Sequence, residues 1–148
     1  MKQPVAASAQ AVLDVVPAVM RFIRAEMRSQ RADLSVPQFR SLMYIAKNEG
    51  ASLRDVARHL GLTSPSTSKL IDVLERRSLV TRRPCAEDRR RITLGLTPAG
   101  SAMRRLALEE TQKKLAARMG PLAPSELETV TEAMSVLRRS FPAAGRER

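Results

Sequence analysis

Residues 52–96, SLRDVARHLGLTSPSTSKLIDVLERRSLVTRRPCAEDRRRITLGL, decide the fold. Leu53, Val56, Ala57 and Leu60 recur at helical spacing. Ser52 has the chemistry of an N-cap, with Asp55 at the third helical position. Gly61 ends that helix where the chain must turn through the left-handed region, and Ala57, four residues earlier, lets a second helix approach closely. The second helix starts at once. Ser64 is its expected N-cap, Pro65 its first helical residue, and Leu70, Ile71 and Leu74 its buried stripe, ending near Arg77. Then the period changes. Residues 79–83 and 92–96 are extended in character, and Ile92, Leu94 and Leu96 alternate with Thr93 and Gly95. The polar run 84–91 between them is the tip of a hairpin. Two helices at a glycine turn, followed by a charged hairpin, are a helix-turn-helix with a wing.

Outward from this unit the chain is helical. Residues 8–31 carry one apolar stripe, Val12, Val15, Val16, Val19, Met20 and Ile23. Pro17 should kink that helix or mark its first turn. Ser35 and Gln38 form a capping-box pattern ahead of Phe39, Leu42, Met43 and Ala46, and 48–50 closes this helix. Beyond the hairpin, Thr97-Pro98 opens a fifth helix to about Met119, broken by Gly120-Pro121. Pro124 starts a sixth, striped by Leu127, Val130, Met134, Leu137 and Phe141, and the tail 142–148 is expected to fray. The expected class is mainly α with a small β-wing. Residues 35–97 form a winged helix-turn-helix, and 1–34 with 98–148 form flanking dimerisation helices. The stripes at 12–23 and 127–141 have no second layer to cover them in a chain of 148 residues, so a twin chain is expected to bury them.

Composition narrows the function. The chain carries 26 Lys+Arg against 15 Asp+Glu, a net charge of +11. The window 76–91 holds seven arginines against Glu87 and Asp88 and accounts for +5 of it. A local basic cluster is the footprint of phosphate binding. One cysteine makes no disulfide framework, and one histidine, His59, makes no metal site and removes most histidine-based catalysis. Ser64, Ser66 and Ser68 have no base at a recognisable spacing, and no glycine-rich phosphate loop is present. No enzyme, cofactor or metal is expected. No apolar run approaches the ~20 residues of a membrane span, and 1–10 lacks a signal-peptide core. A cytoplasmic protein without a membrane partner is therefore expected. The seven methionines read mainly as core filling.

The second helix begins with Thr63-Ser64-Pro65-Ser66-Thr67-Ser68-Lys69, two polar turns with a single charge. Short hydroxyls donate to and accept from base edges, and Pro65 and threonine methyls suit thymine methyls. The candidate DNA contacts are Arg54, Ser64, Pro65, Ser66, Thr67, Ser68, Lys69, Arg76, Arg77, Arg82, Arg83, Asp88, Arg89 and Arg90. An arginine at a hairpin tip can enter a minor groove. Asp88 would be repelled by phosphate and is expected to orient a neighbouring guanidinium. A basic wing could also engage an acidic protein surface, so a protein-interaction module is the alternative.

Several stretches together carry a resemblance: Leu34 to Phe39, Leu53 to Leu62, Leu70 to Val80, Glu87-Asp88-Arg89-Arg90 and Leu96-Thr97-Pro98-Ala99-Gly100. Across residues 10–141 the chain resembles the MarR (multiple antibiotic resistance regulator) family. The resemblance implies a homodimeric winged-helix transcription regulator on a palindromic double-stranded operator, read here as a repressor. Its fourth helix would lie in the major groove. Arg90 would enter the flanking minor groove with Asp88 as its partner, and Arg89 would contact phosphate. The first, fifth and sixth helices would build the dimer, with Val12, Val15, Val16, Val19, Leu127, Val130, Met134, Leu137 and Phe141 at its interface. A small aromatic or amphipathic effector would release DNA by favouring a dimer spacing mismatched to successive grooves. Ser78 departs from the glycine usual before Leu79-Val80. Cys85 lies among Arg82, Arg83, Arg89 and Arg90. Oxidant-sensing relatives place their cysteine near the N-terminus, and Cys85 is read as a tolerated surface residue.

Overall fold

The computed structural model describes residues 3–141. Six helices and one hairpin follow in the order α1 (Gln3–Ser29), α2 (Val36–Lys47), α3 (Leu53–Leu60), α4 (Ser64–Arg76), β1 (Val80–Pro84), β2 (Ile92–Leu96), α5 (Pro98–Met119) and α6 (Pro124–Ser140). The expected frayed tail lies outside the described residues. The chain divides by packing into Met1–Thr111 and Gln112–Arg148.

The core of the first unit is built where the apolar stripes of α2, α3 and α4 meet the root of the hairpin. Leu34, Phe39, Leu42, Ile45, Val56, Ile71, Leu74, Leu79, Val80, Leu94 and Ala107 are its buried members. Ile45 takes a place expected for Ala46, which is only half-buried. Local chemistry starts each helix. Ser35 accepts from the Gln38 amide while Gln38 returns a bond to the Ser35 amide, and Ser52 and Asp55 repeat the arrangement on α3. The two Ser52 bonds, one from its amide and one from its hydroxyl, hold the Asp55 carboxyl below its ordinary pKa. At α4 the cap is Thr63 rather than Ser64: the Thr63 hydroxyl accepts from the Ser66 amide, and Ser64 becomes the first helical residue.

The turn from α4 into β1 gives Ser78 its importance. The Leu79 amide donates to Leu74 O and the Ser78 amide to Glu75 O, both at 2.9 Å, which closes the helix in a Schellman motif. This leaves Ser78 at φ 57°, the left-handed region that favours glycine. A side chain is accepted here at a cost. Ser78→Gly should therefore raise stability by ~0.5–1 kcal/mol, relief of strain outweighing the added freedom of the unfolded chain. A melting curve displaced upward by ~2–4 °C would register it, and an unchanged or lower midpoint would refute the account.

The wing pairs β1 with β2 antiparallel, Val80 opposite Leu96 and Arg82 opposite Leu94. Its root is pinned twice. The Leu94 amide donates to Ala51 O at 2.8 Å, and the Thr97 amide to Leu79 O at 3.1 Å. Thr97 also caps α5: its hydroxyl donates to Ser78 O and accepts from the Gly100 amide. The Leu-Thr-x-x-Gly signature is thus a device that seats α5 on the base of the wing.

Helix α1 runs from Gln3 to Ser29 through Pro17, so the proline does not mark its first turn. No α1 residue is fully buried, and Leu13, Val15, Val16, Val19 and Met20 are exposed. Phe22 and Ile23 are half-buried, and Met27 packs against the core. One expectation is corrected here. Over an 18-residue window α1 has a mean hydropathy of 1.4, long and apolar enough by length and composition to cross a membrane. An average tolerates Gln10 and Asp14, which interrupt every apolar run, because the alanines and valines around them outweigh these few polar residues. In the second unit α6 likewise buries no residue: Val130, Met134, Val136 and Phe141 are exposed, and Leu127 and Leu137 half-buried. Phe141 ends α6 as its C-cap instead of extending the stripe.

Candidate nucleic-acid interface

The left-handed Gly61, at φ 68°, turns the chain between α3 and α4. Its amide and that of Leu62 close α3 onto Arg58 O and Ala57 O. Ala57 is buried at this junction, as its size requires. The front of α4 then stands in solvent: Ser64, Pro65, Ser66 and Lys69 are exposed and Ser68 is half-buried. The Thr63 hydroxyl donates to Ser66 Oγ at 2.9 Å, so these two hydroxyls hold each other at the tip of the helix.

Thr67 does not belong to this surface. It is fully buried, and its hydroxyl donates to Thr63 O at 2.9 Å, which satisfies it inside the fold. The expectation that it faces bases is corrected. The signal was present: Thr67 lies four residues before Ile71 and seven before Leu74, on the same helical stripe. A hydroxyl that bonds back to the preceding turn can occupy such a position.

The structure also sorts the arginines. Arg77 pairs with Asp33, which holds that carboxyl below its ordinary pKa. Arg82 pairs with two α4 carboxylates, Asp72 at 2.7 Å and Glu75 at 3.1 Å, and the Asp72 bond raises its pKa further. Arg54, Lys69, Arg76, Arg83, Arg89 and Arg90 are exposed, and among the described residues none of them is in an ion pair. Arg91, not among the expected contacts, is exposed at the wing tip, and its charge helps lower the Asp55 pKa. The acids that claim Arg77 and Arg82 carried one sequence signal: Asp72 and Glu75 are three apart on one helix and share a face.

At the tip, the Asp88 carboxylate accepts from the Arg90 backbone amide at 3.0 Å. Its expected partner was a guanidinium, and the structure corrects this: an aspartate two residues ahead of an amide closes a local turn more readily than it captures a long side chain. Arg91 N–H to Asp88 O and Cys85 N–H to Arg91 O complete the loop. The result is a shaped turn with the Arg89 and Arg90 side chains outside it. Cys85 is half-buried. His59 stacks on Tyr44 with ring centroids 4.5 Å apart. Burial first, then the charges of Arg40 and Lys47, lower its pKa. Among the described residues no group of three or more His, Cys, Asp or Glu could hold a metal ion.

A glycine-turned helix pair, an open polar helix front and an arginine-tipped hairpin define a winged helix-turn-helix protein of the DNA-binding class. A model of the MarR family matches residues 32–91. The uncharacterized HTH-type transcriptional regulator YfiV of Bacillus subtilis (strain 168) is 31% identical over 117 residues, covering 79% of this chain and 73% of its own. The chain belongs to the MarR family of transcriptional regulators. The transcriptional regulator Tm0710 of Thermotoga maritima shares the fold with a TM-score of 0.75 at 22% identity, covering 89% of this chain and 97% of its own. S. aureus MepR has been solved as a mutant bound to an oligodeoxyribonucleotide, with a TM-score of 0.57 at 24% identity over 86% of this chain and 98% of its own. MepR bound to ethidium bromide gives a TM-score of 0.61 at 22% identity over 86% and 94%.

Proposed function

We propose that the chain acts as a homodimeric, ligand-responsive repressor on a palindromic operator. Residues 35–97 read the DNA, and 1–34 with 98–148 hold the dimer. The exposed front of α4 enters the major groove, and Arg89 and Arg90 bring the wing to the flanking minor groove and its phosphates. The observation that carries this is the set of exposed wing-tip cations that, among the described residues, are in no ion pair, on the same winged helix-turn-helix as a polar helix front. The dimer reading is supported by the exposed apolar residues of α1 and α6, among them Val15, Val16, Val19, Val130 and Met134. MepR with bound ethidium supports a small aromatic effector. The site of action is the cytoplasm, where a transcriptional regulator meets its DNA.

A gel shift with the DNA upstream of the chain's own gene tests the reading. Sequence-specific retention is expected, and affinity should fall ~1,000-fold between 50 and 200 mM salt if about six phosphates are contacted. Binding that ignores sequence would overturn it in favour of a module for acidic partners. Sedimentation of the free protein should give twice the chain mass.

A further inference from the structure

The hairpin is held to the body of the first unit only at its root. Val80 and Leu94 are buried, the Leu94 amide bonds Ala51, and Thr97 ties β2 to the turn before β1. Outward from the Arg82–Leu94 pair the wing is largely in solvent: Arg83 and Pro84 are exposed, as is Ile92 at 53% and every residue from 86 to 91. Among the described residues Arg82 is thus the outermost wing side chain that hydrogen-bonds to the body of the fold. Its fastening is to the recognition helix itself, by one guanidinium nitrogen to Asp72 and the other to Glu75. A planar fork held at both nitrogens fixes direction as well as distance. Its side chain is only 27% exposed, unlike the arginines at the tip.

We propose that Arg82 is a positioning residue for DNA recognition and not a DNA contact: by clamping the wing to α4 it sets where the tip arginines fall relative to the helix. On this view Asp72 and Glu75 keep two negative charges on the reading helix because they hold the clamp. The major-groove and minor-groove contacts must lie in register on the duplex, and a wing free to tilt about its root loses that register. This rests on the DNA-reading function proposed above.

The test uses the full-length protein and a duplex that the wild type selects from a random pool. Three variants are compared: Arg82→Lys, which keeps the charge but not the fork; Arg82→Gln; and Asp72→Asn with Glu75→Gln, which leaves Arg82 in place. Affinity is read across a salt series, and hydroxyl-radical footprinting reports minor-groove protection at the flanks. All three should lose flank protection and roughly tenfold in affinity for the selected duplex. The salt slope should flatten by up to ~1.8 in Arg82→Lys as in Arg82→Gln, since a tilted wing carries the Arg89 and Arg90 phosphate contacts away even where the charge at position 82 is kept. The double acid variant is decisive: removing negative charge beside DNA should tighten binding on electrostatic grounds alone, whereas an unfastened wing weakens specific binding. If Arg82→Lys binds as wild type and Arg82→Gln lowers the slope by ~0.9, Arg82 is a phosphate contact and the proposal falls. It falls equally if the acid variant keeps its flank footprint. Wild-type protein that selects no sequence would overturn the DNA-reading function and this inference with it. Variants that bind like a selective wild type overturn the inference alone. The acid variant, which keeps Arg82, decides the matter should Arg82→Gln fail to fold.

Discussion

Gly100→Ala is expected to be the most damaging glycine-to-alanine substitution among the described residues. A Cβ at this position would stand 2.1 Å from Leu79 O, 3.1 Å from Leu79 C and 3.4 Å from Leu79 Cα. These are backbone atoms at the root of the wing, so no side chain can swing aside. Leu79 O already accepts from the Thr97 amide, and the Gly100 amide donates to the Thr97 hydroxyl, which itself reaches Ser78 O. To admit the methyl, the first turn of α5 must withdraw from the turn that ends α4, and these bonds open together. Overpacking costs ~1–3 kcal/mol and each lost hydrogen bond ~0.5–1.5 kcal/mol, against a gain of about 1 kcal/mol in helix propensity. A net loss of ~2–4 kcal/mol should appear as a lower urea midpoint, a large share of the ~5–15 kcal/mol of a typical domain. Hydrogen exchange should quicken first in the wing. A midpoint equal to that of wild type would refute the close approach.

Arg89→Ala combined with Arg90→Ala should cost the operator complex ~100-fold or more, with each contact contributing ~1–3 kcal/mol. The dependence of log affinity on log salt should flatten by up to ~1.8, the contribution of two neutralised phosphates. Both side chains are exposed and outside every ion pair among the described residues, so the unfolding midpoint should not move. The bond from the Arg90 amide to Asp88 is made by backbone and survives the substitution, so the tip keeps its turn. Loss of affinity with intact stability separates this pair from Gly100. Affinity within twofold of wild type would remove the wing from the interface.

Much of the architecture was readable along the chain because its causes are local. Capping boxes at Ser35 and Ser52, the stop at Gly61 and the strand at 92–96 each depend on neighbours within a few residues and appear where expected, although of the three alternating apolar residues of that strand only Leu94 is buried and Ile92 stands in solvent. The cap of α4 slipped by one residue because adjacent Thr63 and Ser64 are chemically equivalent candidates, and the backbone chose between them. Ser78 shows how a departure from a family pattern carries physical content: the glycine usual there answers a left-handed φ that serine is made to adopt.

The site was readable as a region but not as a set of side chains. Sequence by itself determined that a polar helix front precedes a basic hairpin, and that +5 is concentrated in 76–91. Tertiary structure decided which of those charges remain available. Arg77 is paired across 44 residues with Asp33 and Arg82 across 10 residues with Asp72, while Arg89 and Arg90 are left in solvent. It also withdrew Thr67 into the core and brought Gly100 against Leu79. The reason is physical: secondary structure follows from torsions and bonds between near neighbours in sequence, whereas the availability of a charge or hydroxyl depends on distances of a few ångströms between segments that only folding brings together.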